Sequence, residues 1–305
     1  MKKAIRYAPP SSERIKSLQN ERQSIKLLLA QRRLYSRAKI FLSARWFGML
    51  IIAIGAPIVS FLYPELTIGA FAVAGLWLFL GRTLLIRLEQ TFIHKAASVQ
   101  ERFDRRVFIM PEVRFKDSSL SLEDLVEITS DKRTLQEIGY EECLFDWYPI
   151  TEESPGIVSV AISQRANVAY TSRLMQQTAF VWKICTVVWL TVLLVISLLN
   201  EMLLKDFLLG IFFPVLPAII DLYQFIKKVQ LAANERRELS NDMQYWLEQN
   251  SDKLSSRELL DWQDKIYELR RSSPLIPDVI YWLARNKNEA VMHSVADDLR
   301  NNTKK

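Results

Sequence analysis

Four long apolar stretches divide the chain, and the segments between them are densely charged. The first runs from Trp46 to Tyr63 without a charged residue; the second runs from Leu66 to Gly81 and continues past Arg82 through Leu84, Leu85 and Ile86. The third covers Thr178 to Leu199 with Lys183 near its start, and the fourth Met202 to Ile220, with Lys205 and Asp206 at its entrance and Asp221 at its exit. None carries the polar stripe at period 3.6 that marks a helix buried in a water-soluble core. A helix crossing a bilayer needs about 20 mostly apolar residues. The pattern therefore predicts spans at 46–63, 66–86, 178–199 and 202–220. Tyr63-Pro64-Glu65 and Asn200-Glu201 leave room only for reversal, so the spans pair as two hairpins, 46–86 and 178–221.

The remaining segments, 1–45, 87–177 and 222–305, read as mostly helical. Residues 11–45 form one basic amphipathic helix, with Ile15, Leu18, Ile25, Leu28, Leu29, Tyr35 and Ala38 near one face. Two readings of that face stay open: it lies on anionic lipid headgroups, or it packs against the other extramembrane helices. The central segment, 87–177, is a small α or α+β unit. It begins helically and turns β-prone at Val107-Phe108-Ile109-Met110 before Pro111. A helix over Leu122–Ile138 follows, with Ser121 as its cap. Glu152 to Gly156 is a loop, and from Ile157 a helix runs directly into the third span. Tyr223–Gln249 continues the fourth span, and Pro274 and Pro277 divide the rest of the tail. The fold class is thus a mainly α membrane protein with long helical extensions.

Charge then sets the orientation. Of 40 Lys and Arg residues, twelve precede Trp46; Arg82, Arg87 and Lys95 follow the second span, Arg165 and Arg173 precede the third, and Lys227 and Lys228 follow the fourth. The two turns hold Lys205 alone. The positive-inside rule places both termini and the central segment in the cytoplasm, making a multi-pass membrane protein. No apolar h-region precedes Ile25, so no cleaved export signal is expected. Two cysteines, Cys143 and Cys185, make no disulfide framework, and His94 and His293 lack the neighbours of a metal site. No phosphate loop, GxGxxG, HExxH or GxSxG appears, so neither catalysis nor a catalytic cofactor is expected.

Four short blocks, in fixed order relative to the spans, carry a resemblance. They are Arg33-Leu34-Tyr35-Ser36-Arg37-Ala38-Lys39, Val99-Gln100-Glu101-Arg102-Phe103-Asp104, Trp147-Tyr148-Pro149, and Gln164-Arg165-Ala166-Asn167 with Tyr170, Arg173 and Leu174. On these blocks the chain resembles the SMODS-associated four-transmembrane (S-4TM) effectors of bacterial cyclic-oligonucleotide anti-phage systems (CBASS), over nearly its whole length. It departs at Ser163 and Thr171, where the family often has Cys and Asp. The resemblance implies a pore-forming or membrane-disrupting effector that causes abortive infection. Its trigger would be a cyclic di- or trinucleotide from a partner nucleotide cyclase, and its partners the bilayer and further copies of itself, without direct DNA binding.

A cyclic oligonucleotide presents phosphates and aromatic bases, which call for Arg or Lys and for stacking surfaces. The ligand-binding candidates are Gln100, Arg102, Asp104, Arg105, Arg106, Trp147, Tyr148, Gln164, Arg165, Asn167, Tyr170 and Arg173, with Phe103 and Arg114 near them in sequence. The competing reading has the arginines enforcing topology and Trp147 and Tyr148 packing the core. For a pore or hinge the candidates are Pro57, Lys183, Pro214 and Pro217, with small residues at Gly48, Gly55, Ala70 and Ala74 suited to close helix packing. Two rival functions are a small transporter or ion carrier, which would place ionisable residues near the bilayer midplane, and a scaffold recruiting a soluble partner through the tail.

Overall fold

The computed structural model describes residues 7–112, 120–150, 155–249 and 253–303, and among these the chain is helix and connecting turn with no strand. A short α1 (Ser12–Gln19), capped by the Ser11 side chain on the Arg14 N–H, leads into α2 (Arg22–Leu62), a rod of 41 residues. One 3₁₀ turn at Pro64–Leu66 reverses the chain into α3 (Thr67–Leu80), which passes through a π-turn at Gly81–Leu85 into α4 (Ile86–Val107). After α5 (Leu122–Thr129) and α6 (Leu135–Glu141) comes α7 (Gly156–Leu199), 44 residues without a break. The return leg is α8 (Leu204–Phe207), a second π-turn at Leu208–Phe212 and α9 (Phe213–Gln249). Two further helices, α10 (Ser256–Arg271) and α11 (Asp278–Thr303), complete the chain.

Three of these rods are long and apolar enough to cross a membrane, and a fourth crosses if the return leg, bent by 59° between Leu204–Phe212 and Val215–Gln249, counts as one span. Pro214 sits at that bend and Pro217 inside the helix beyond it. Proline removes an amide donor and crowds the preceding turn, which is reason enough for a kink. Pro57 falls within α2. The spans carry a surface suited to lipid: Leu50, Ile51, Ile54, Ile184, Val187, Val188 and Leu194 are all exposed, an apolar area too large for a water-facing surface. Inside the first hairpin α2 and α3 touch closely because Gly48 has no side chain. A Cβ there would come within 2.0 Å of the Trp77 ring, whose Nε1 donates to the Arg45 carbonyl at 3.4 Å. Gly55, by contrast, faces open space.

Each hairpin extends beyond the membrane as a helix pair, α2 with α4 and α7 with α9, and the remaining helices pack around these extensions. The main core lies in this extramembrane body. Its fully buried centre includes Ile15, Leu28, Leu29, Phe103, Phe108, Ile138, Leu144 and Ile162. The apolar face of residues 15–38 therefore packs inward rather than onto lipid.

Three local expectations need correction. The single helix over 11–45 is broken at Asn20–Glu21, and its second part runs on into the first span without a boundary at 45. The β-prone stretch 107–110 has no strand to pair with; instead Met110 N–H donates to the Arg105 carbonyl at 2.8 Å and closes α4 through Ile109 at φ 53°. The helix expected over 122–138 is two helices. Ser121 with Asp124 and Thr134 with Glu137 each form a capping box, and Arg33 from α2 donates to the Ile128 and Ser130 carbonyls freed between them, both at 2.8 Å.

Candidate functional site

Helix α10 starts at a capping box between Ser255 and Glu258 and turns Leu259, Trp262 and Ile266 toward the core. Gln263 and Arg270 lie on that same apolar stripe, at spacings of four and eleven from Leu259, so helical geometry buries both. Their polar atoms therefore need partners, and they find them on the extensions of both hairpins. Gln263 Nε2 donates to Glu101 Oε2 at 2.7 Å and to Asp104 Oδ2 at 3.0 Å, both on α4. Its Oε1 accepts from Gln164 Nε2 of α7 at 2.9 Å, and Gln164 also donates to the Leu259 carbonyl at 3.0 Å. Arg270 Nη1 reaches Asp104 Oδ2 at 2.6 Å and lies 3.6 Å from Glu101, while Nη2 donates to Asn167 Oδ1 at 3.1 Å. The Tyr148 hydroxyl donates to the other Asp104 oxygen at 2.6 Å, and Gln19 Oε1 accepts the Tyr148 amide N–H at 2.9 Å.

Two carboxylates and two guanidiniums thus share one buried site. Arg105 pairs with Glu101 at 2.7 Å, reaches the Pro111 carbonyl at 2.8 Å and meets the exposed Asp264 at 2.6 Å. Burial, and next the charge of Asp104, pushes the Glu101 carboxyl up to about 7 against the opposing pull of Arg270, Arg105 and the Gln263 amide. Burial and the same Asp104 charge hold the Tyr148 phenol well above its ordinary value, so it stays a donor. Tyr35 is pushed up to about 12 by burial, and the charges of Arg270, Arg236 and Asp104 all act on it. All four sequence blocks therefore converge here, through Tyr35, Glu101 with Asp104, Tyr148, and Gln164 with Asn167.

The other candidates lie apart. Gln100 is buried on α4. Arg102 reaches the Leu120 carbonyl at 3.4 Å, Arg106 pairs with Glu21 at 2.7 Å, and Trp147 sets its ring edgewise to Phe103 at 6.4 Å. Arg165 donates to Gln244 at 2.9 Å, Arg173 to Asn288 at 3.3 Å, and Tyr170 lies beside Tyr281. Lys183 is exposed on α7, and Arg114 lies outside the described residues. Reading the sequence missed Glu101, Gln263 and Arg270 as members of the centre. The available signal was a glutamine and an arginine in the apolar stripe of α10. Among the described residues no three His, Cys, Asp or Glu side chains gather as a metal would require.

At the membrane boundary the hairpins meet again. Arg82, at the end of the second span, pairs with Asp221, at the end of the fourth, while within the first hairpin Arg45 pairs with Glu89 at 3.2 Å. Trp46 stacks on Trp182 at 5.2 Å, with Phe225 edgewise to both at 5.4 and 5.9 Å.

Helical hairpins crossing a membrane, tied into an extramembrane helical body by a buried polar centre, define a multi-span membrane protein. The chain belongs to the SMODS-associating 4TM effector family, whose domain matches residues 13–299. It is 26% identical over 290 residues to a probable CBASS effector molecule of Bacillus cereus (strain VD146), covering 90% of this chain and 94% of that protein. No solved structure matches it. The chain is therefore a membrane protein of an effector family.

Proposed function

We propose that this effector responds to a cyclic di- or trinucleotide from a partner cyclase by rearranging its two hairpins, alone or as a homo-oligomer. The outcome is a pore or a disrupted inner membrane and the death of the infected cell, with no reaction catalysed. The observation that carries this reading is mechanical: α7 runs unbroken from the body into the third span, α4 continues the second span through the π-turn at Gly81–Leu85, and one buried centre joins the two through α10. A ligand that shifts α10 would act on both hairpins at once. The residues buried in the centre set the positions of the helices. Arg102, Arg106, Arg165, Arg173 and Trp147 are only partly buried and supply the charge and stacking surface a nucleotide needs. The Lys and Arg residues that flank the spans support termini in the cytoplasm, where a cyclase product would be met.

The test is dye release from liposomes holding the purified full-length protein, on addition of cyclic di- and trinucleotides in turn. At least one should release dye in minutes, and the charge-neutralising pair Arg165→Gln and Arg173→Gln should blunt the response several-fold. Silence to every nucleotide would overturn the proposal.

A further inference from the structure

Between the second and fourth spans runs a cleft of about 440 Å³, lined by Leu78 and Phe79 on one side and by Phe213, Leu216, Pro217 and Ile220 on the other. The 59° bend of the return leg lies at one end of it. Its walls are apolar except at the end toward the extramembrane body, where Arg82, Thr83 and Gln224 close the lining. From Phe213 to Gln224 the cleft follows α9 for about 16 Å at 1.5 Å per residue. That is roughly half of a ~30 Å hydrocarbon core, the depth one acyl chain fills. The Arg82 side chain is 53% exposed although one nitrogen is taken by Asp221, and a guanidinium has five N–H donors. Arg87, Lys227 and Lys228, all exposed, stand one to two turns further out on α4 and α9.

We propose that this cleft is a binding site for one anionic phospholipid of the leaflet next to the extramembrane body. An acyl chain lies along Leu216 and Ile220, and the phosphate accepts from the Arg82 donors that Asp221 leaves open. Charge complementarity selects this occupant: an apolar slot ending in a half-exposed guanidinium under a basic rim suits an anionic headgroup better than a zwitterionic one. The lipid fills the wedge at the bend and shares Arg82 with Asp221, so its headgroup bears on the ion pair that joins the two hairpins. This inference rests on the membrane-spanning fold alone and goes beyond the proposed signalling role.

The experiment is native mass spectrometry of the full chain from nanodiscs of phosphatidylcholine with or without phosphatidylglycerol, counting lipid retained after detergent washing. Wild type should keep one phosphatidylglycerol in several-fold preference to phosphatidylcholine. Arg82→Gln should abolish the preference, and Leu216→Trp, which fills the slot, should lower retention of both lipids. Asp221→Asn frees Arg82 and should strengthen the preference. If the ion pair served structure only, Asp221→Asn would instead behave like Arg82→Gln. Equal retention of both lipids by wild type overturns the site. So does a loss of preference in Lys227→Gln as complete as in Arg82→Gln, since that marks diffuse basic attraction.

Discussion

Arg270 stands where Asp104 and Glu101 would otherwise face each other in a buried core. Taking one partner from a buried ion pair costs about 3–5 kcal/mol, because the remaining charge is left without compensation. Arg270→Met should therefore lower stability by about that much, measured by thermal unfolding in detergent, and adding Asp104→Asn should recover a substantial part. Glu101 adds a pH dependence whose sign follows from its raised folded-state value. A carboxyl held near 7 in the fold, against 4.5 unfolded, binds its proton more tightly when folded. Its contribution is fully present below about pH 4.5 and lost as pH rises through about 7. The melting temperature of wild type should fall between about pH 5 and pH 8, and Glu101→Gln should flatten that fall. The centre was only half legible in the sequence. Asp104 and Tyr148 stood among the ligand-binding candidates, but Arg270 lies 166 positions from Asp104. No local pattern pairs residues that far apart.

At the scale of the element, the spans were readable because lipid imposes a length and forbids charge, and both constraints are written locally. Helix breaks in the body were not. Ser130–Arg133 and Asn20–Glu21 look like ordinary polar positions of a continuing helix. They become ends because distant groups satisfy them: Arg33 holds the first, and Asn20 exchanges hydrogen bonds with Asp146 at the second, both at 2.9 Å. The start of α7 depends on a contact of the same long-range kind. Gly156 lies so near the N-terminal segment that a Cβ would sit 2.0 Å from the Pro10 carbonyl oxygen. Ser12 and Ser159 share a hydrogen bond of 2.7 Å beside it. A backbone carbonyl cannot swing aside as a side-chain tip can. Gly156→Ala should cost about 1–3 kcal/mol by overpacking and speed tryptic cleavage at Arg14 and Lys16. Gly55→Ala, where an added methyl meets nothing, should be neutral or slightly stabilising, since alanine favours helix over glycine by about 1 kcal/mol. Equal behaviour of the two variants would show that the Pro10 contact does not form.

For the whole molecule, sidedness decides whether any signal made inside the cell can reach the body. Orientation follows from the charges: basic residues crowd every segment on the body side, and the turns opposite hold only Lys205. The two free cysteines, both exposed, report on this without added labels. Cys143 lies in the body just after α6, and Cys185 on α7 within the third span, among exposed Ile184, Val187 and Val188. A membrane-impermeant maleimide applied to intact cells should therefore leave both unmodified. Lysis should open Cys143 to the reagent within minutes, while Cys185, shielded by lipid, should react only in denaturing detergent. Single Cys143→Ser and Cys185→Ser variants assign each signal. Modification of Cys143 from outside intact cells would put the body on the wrong face of the membrane for a cyclase product, whatever the liposomes do. Early modification of Cys185 in native membranes would mean that α7 faces water there, and the third span would have to be redrawn.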